Sequence, residues 1–184
     1  HRAIEPRRDS GPVGAAAEGA IAPSDGSASL RGKIAAAAAR LLSENISSVA
    51  DGSAKFEPQD ESRATYTRKI AKEDLFLDFR LPAEEIANRA RAFSFAVAEI
   101  GGEAVKLSNA FAAARMKGGA ECGEVVAASR ADGLRIACGA GDIVFGAIQR
   151  PCSKMLSAPE FFAGNSIEVG KVLKSFDSRP LLRP

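Results

Sequence analysis

A chain of 184 residues, 46% of them hydrophobic, can hold one ordinary domain or a fragment joined to a small domain, and its composition is not that of a disordered segment. Its 25 basic and 23 acidic residues leave a formal charge of +2, which does not mark a nucleic-acid binder, and ten Phe, one Tyr and no Trp leave the core to aliphatic side chains and Phe. Cys122, Cys138 and Cys152 form no CxxC pair or Cys/His cluster, which argues against zinc, and no apolar run reaches the roughly 18 residues of a membrane span.

The first 27 residues are rich in Gly, Ala, Ser and Pro and have little periodicity. They lack both an initiator Met and the apolar core of a signal peptide, as expected of a stretch from the middle of a longer product. A helix follows. Leu30, Ile34, Ala38, Leu41, Ile46 and Val49 share one face, Arg31, Lys33, Arg40 and Glu44 fall largely on the other, Ser27 or Ser29 can cap the start and Gly52 can end it. Residues 53–74 form a charged connector.

Leu75–Phe79 reads as a short strand. A helix then starts near Pro82, favoured by Glu84 and Glu85, with Ile86, Ala90 and Phe93 as its apolar stripe. Beyond Phe95 the pattern turns to strands. Phe95–Ile100 and Glu103–Ala110 flank a Gly101-Gly102 turn, and Gly123–Ala128, Leu134–Cys138 and Ile143–Gln149 follow, punctuated by Asp132-Gly133 and Gly139–Asp142. Ser157 with Glu160 is a capping box for a short helix ending at Gly164. From Arg150 onward six Lys or Arg face three Asp or Glu, so the excess of positive charge lies in the C-terminal stretch. Five short strands and a small helix fit a small β-barrel of the OB-like kind, with a β-sandwich as the alternative.

Three segments carry more. They are Asp9-Ser10-Gly11-Pro12-Val13; then Gln59-Asp60-Glu61-Ser62 with Ala64-Thr65-Tyr66 and Lys69-Ile70; then Gln149-Arg150-Pro151 with Ser153-Lys154-Met155, Glu160-Phe161 and Gly164. In this order, over roughly residues 1–170, they resemble the methionyl-tRNA formyltransferase family. The resemblance implies an α+β chain: a truncated end of an α/β formyltransferase domain (1–58), a linker (59–74), a small OB-like β-barrel domain that holds tRNA (75–174) and a tail (175–184). It implies a cytoplasmic, bacterial-type enzyme of translation initiation, monomeric at full length and independent of membranes. The reaction it implies moves a formyl group from 10-formyltetrahydrofolate to the amino group of initiator methionyl-tRNA.

Asp9 matches the family's catalytic Asp. A carboxylate suits that chemistry, because the attacking amine must lose protons as a charged tetrahedral intermediate forms. The family's upstream Asn and His have no counterpart here and most of the folate pocket is missing, so this fragment alone is expected to be inactive and to bind the co-substrate poorly. Arg68, Lys69, Lys72, Arg150 and Lys154 are the expected phosphate contacts, because phosphates call for Lys and Arg on a shared surface. Two departures from the family stand out: a loop is deleted after Phe93, and Cys152 stands where the family has Gly. A related formyltransferase acting on a small amine such as a sugar nucleotide, and a non-catalytic tRNA-binding barrel, are the alternatives.

Overall fold

The computed structural model describes residues 11–183, which divide into two compact units, residues 11–68 with 182–183 and residues 69–181. In the first unit the apolar periodicity after Gly26 becomes α1, Ser27–Asp51. The expected caps are reversed at its start: Ser29 accepts from the Gly26 N–H at 3.0 Å instead of serving as the cap itself. Gly52 ends the helix at φ 80°, where a residue without Cβ is unstrained. None of the residues of α1 is buried. Around it, Val13 and Glu57 exchange backbone hydrogen bonds of 2.8 and 2.9 Å, and the Gln59 amide donates to the Gly11 carbonyl at 2.7 Å. Tyr66–Thr67, β1, pairs antiparallel with Leu182–Arg183, which is β8.

The second unit is an antiparallel sheet with helices. Its strands are β2 (Ala96–Ile100), β3 (Glu103–Ala113), β4 (Val125–Ser129), β5 (Gly133–Ala137), β6 (Asp142–Gln149) and β7 (Leu156–Ser157). They are ordered β2-β3-β6-β5-β4, with β7 added beside β6 at Ala147 and Ile148. The Gly101-Gly102 turn joins β2 to β3 as the sequence predicts, because both glycines take positive φ. Helix α2, Ala83–Ala92, lies against β3 and β6 and buries Ala83, Ile86, Ala87 and Ala90. Pro82 is its N-cap residue, one position before the first helical residue.

Simple alternation would put every second side chain of β3 inside. Leu107 and Ala110 are both buried although three residues apart, and so are Phe145 and Ile148 opposite them. Asn109 makes this possible at φ 53°, beside Gly146, where an added Cβ would come within 3.3 Å of the Asn109 Cβ. The two strands thus reverse their facing together. Phe79, Phe145, Ile86, Leu107, Leu134, Ile136, Ile143 and Ile148 fill the core, each worth roughly 1.5–3 kcal/mol when withdrawn from water.

The strand ladder itself stays open, with β2 and β4 as edges. Irregular segments cover both. Leu75 ends a helical turn, and what the sequence reads as a strand over Leu75–Phe79 is a single parallel bridge, Phe76 to Val97 of β2. Leu77 N–H donates to the Val97 carbonyl at 3.1 Å, and Phe176 N–H donates to Leu77 at 2.9 Å. On the far side Val125 N–H donates to Lys171 at 2.9 Å and Leu173 N–H to Gly123 at 2.8 Å. Gly123, at φ 94°, leaves room for this approach, since a Cβ there would sit 2.4 Å from the Leu173 carbonyl oxygen. Residues 170–178 are therefore bonded to the β4 edge on one side and, through Leu77, to the segment that covers β2 on the other. Among the described residues no helix is long and apolar enough to cross a membrane.

Candidate nucleic-acid interface

A phosphate contact needs a cation that the fold has not already committed. Several basic side chains of the second unit are committed. Arg80 binds Asp78 at 2.7 Å and Asp177 at 2.7 Å, and Arg89 holds Glu85 at 3.2 Å and also the Ser178 hydroxyl. Arg115 donates to the Ala120 and Cys138 carbonyls, and Arg91 to the Ala110 carbonyl. Arg135 holds the fully buried Asp142 at 2.9 Å, and Lys117 holds Glu124 at 2.6 Å. Most of these charges are structural: Arg80, Arg135 and Lys117 satisfy buried carboxylates and Arg91 and Arg115 backbone acceptors, while Arg89 pairs with the exposed Glu85.

Five residues carry the sequence expectation of tRNA contact. Arg68 ends the first unit and Lys69 begins the second. Lys72 is exposed in the helical turn Lys72–Leu75. Arg150 and Lys154 flank a turn in which Ser153 N–H donates to the Arg150 carbonyl at 3.2 Å. Lys154 is exposed, and its charge adds a weak pull to the Glu160 carboxyl, which the Ser157 hydroxyl already holds below its usual range. Arg150 is not idle: its Nε and Nη2 both reach Glu103 Oε2, at 3.0 and 2.8 Å. Asp9 lies outside the described residues.

Register separates the second unit's cations into two groups. The segment through Phe76 runs parallel to β2, so Lys72 lies toward the Ala96 end of that strand. Arg150 lies toward the Ile100 end, beside Glu103. Lys106, which the sequence reading did not single out, is a further cation on β3, the strand between β2 and β6. It faces Val97 on one side and Gln149 on the other, and its Nζ stands 4.7 Å from the centre of the Phe95 ring. Its signal in the sequence was a Lys at an outward position between the buried Val105 and Leu107. Lys174 rests in the same way over Phe176, at 4.8 Å. A cation over a ring face keeps its charge available while its stem is held. No group of three His, Cys, Asp or Glu among the described residues has the geometry to hold a metal ion.

The two-unit plan and the sheet with its covered edges can be set beside known proteins. The model of the formyl transferase C-terminal domain matches residues 69–166. The chain belongs to the formyl transferase C-terminal domain family. Curated methionyl-tRNA formyltransferases match well beyond that domain. The one from Burkholderia multivorans is 36% identical over 167 residues, covering 89% of this chain and 50% of the relative. That from Acidovorax ebreus is 35% identical over 159 residues, covering 84% and 49%. The chain spans about half the length of the curated relatives it matches. Among solved structures, a variant of HypX from Aquifex aeolicus aligns with TM-score 0.64 at 18% identity, over 87% of this chain and 30% of that one, which is a likeness of fold. The family model lies wholly within the 69–181 unit.

Proposed function

We propose that this chain is the C-terminal part of a methionyl-tRNA formyltransferase, and that its second unit, an OB-like domain whose strand ladder is left open, holds initiator methionyl-tRNA mainly through phosphates. The observation that supports this is the match of methionyl-tRNA formyltransferases along 89% of the chain. Lys69, Lys72, Lys106, Arg150 and Lys154 are the contacts on the second unit, and Arg68 is one on the first. Tyr66, the one Tyr, lies in the first unit and there is no Trp, so base stacking contributes little. Formyl transfer from 10-formyltetrahydrofolate is the reaction proposed for the whole protein, which works in the cytoplasm as a monomer, with Asp9 in the catalytic role. No residue of this chain is assigned to hold the folate.

The test is equilibrium binding of labelled initiator and elongator tRNA across a salt series. Between about three phosphate contacts and all six predict a log–log slope of roughly −2.7 to −5.4. Changing Lys72 and Lys154 together to Ala should weaken both tRNAs about equally and flatten the slope by roughly 2. Binding indifferent to salt, or selective loss of the initiator tRNA in the double variant, would speak against phosphate holding. Tight binding of a sugar nucleotide with none of tRNA would favour the small-amine formyltransferases.

A further inference from the structure

Arg150 and Glu103 stand at the rim of a groove of about 390 Å³. The β2–β3 turn forms one wall, at Gly101, and the stretch after α3 (Ala158–Phe161) forms the other, at Asn165 and Ser166. Phe161 lies at its base, buried. A volume of that order accommodates a nucleotide-sized group. Nothing crowds the rim: a Cβ built on Gly101 or on Gly164 would meet no atom within 4 Å.

The ion pair is lopsided. Both guanidinium nitrogens converge on one carboxylate oxygen, Oε2, instead of forming the parallel two-oxygen fork that Arg makes with carboxylate and phosphate. The Arg150 side chain is 50% exposed and that of Glu103 42%, so water competes for both and the pair holds the fold weakly. A phosphate offers the same guanidinium more oxygens and more charge.

We propose that Glu103 is a built-in stand-in for phosphate. It occupies the Arg150 guanidinium in the free protein and is displaced by a backbone phosphate of bound RNA, which then sits at the mouth of the groove. The carboxylate thereby lowers affinity for RNA in general and makes Arg150 a contact that is spent only when the rest of the strand is in register. This rests on the tRNA reading above.

The experiment measures tRNA affinity of the full chain carrying Glu103→Gln, Glu99→Gln, or Glu103→Gln with Arg150→Ala, over a salt series, with thermal melts alongside. Glu99 is an exposed carboxylate on the neighbouring strand, so its variant carries the same change of net charge without freeing Arg150. One added phosphate contact, at a slope of about 0.9 per contact, corresponds to roughly eightfold in affinity near 0.1 M salt. The Glu103 variant should bind about five- to tenfold more tightly and steepen the salt slope by about 0.9, with an unchanged melting temperature. Glu99→Gln should do neither, and adding Arg150→Ala should return affinity close to that of the parent chain. Equal tightening by both single variants, or none by Glu103→Gln while the parent chain binds, would overturn the stand-in role and leave the tRNA reading intact. No binding by any variant at low salt would overturn both.

Discussion

Cys152 is the second central residue of the turn that begins at Arg150, after Pro151, and it sits at φ 57°. A turn with Pro at the first central position and positive φ at the next is built for glycine, because Cβ crowds the following carbonyl there. A residue with Cβ in that region costs about 1–2 kcal/mol. Cys152 is exposed, so removing its thiol withdraws no apolar surface from the core. Glycine gives back part of the gain, about 0.5–1 kcal/mol, through its greater freedom in the unfolded chain. Cys152→Gly should therefore stabilise the second unit by about 0.5–1 kcal/mol and raise its melting temperature by about 2–5 °C for roughly 110 residues. Calorimetry and urea unfolding would read this, the latter as a higher midpoint at constant slope. Cys152→Ala keeps the Cβ and should show no gain. An Ala variant as stable as the Gly variant, or a Gly variant no better than the parent, would refute the account of strain.

The Asp78 carboxyl is held below its usual range, first by the Arg80 guanidinium and then by the backbone N–H groups of Arg80 and Ser178. A lowered folded value stabilises above the unfolded pKa of about 4 and is lost as pH falls through the folded one, so the parent chain should weaken below about pH 4. Asp78→Asn should be less stable at pH 7 and show a shallower acid slope; parallel urea midpoints from pH 7 to pH 2.5 would contradict this. Burial pushes the Cys138 thiol up to about 12, so at pH 8 iodoacetamide should label the exposed Cys152 in the folded chain and reach Cys138 only on unfolding. Mass spectrometry showing early modification of Cys138 would count against that core.

Local chemistry was legible in the sequence. Gly52 ends α1, Gly101-Gly102 makes the tight turn, and Ser157 with Glu160 forms the expected box, the Ser157 N–H donating to Glu160 at 2.9 Å. Reading Cys152 against a family Gly also located a real backbone constraint. After Phe93, Ser94 takes φ 71° between α2 and β2. What escaped were relations between distant residues. β7 is two residues long and exists only because β6 offers Ala147 and Ile148. Residues 170–178 carry no strand pattern, yet the Ser175 hydroxyl accepts from Phe79 N–H, 96 positions away. The Arg150–Glu103 pair spans 47 positions, and nothing local to either residue announces it. Lys106 has no basic neighbour in sequence, and only strand pairing sets it beside Gln149, the residue before Arg150.

A helix of 25 residues with no buried side chain, and with Ile34, Leu42, Ile46 and Val49 half or more exposed, is held chiefly by its own backbone ladder and its alanines. Such a helix frays gradually from its ends and has no cooperative melting point of its own, whereas the sheet with its shared core disassembles as one. Far-ultraviolet ellipticity, dominated by α1, will therefore drift across the whole temperature range, and amide exchange will run fast along it while the β3–β6 ladder stays protected. Two spectroscopic probes of this one chain will then report two different curves, and a single fitted free energy of unfolding would describe neither.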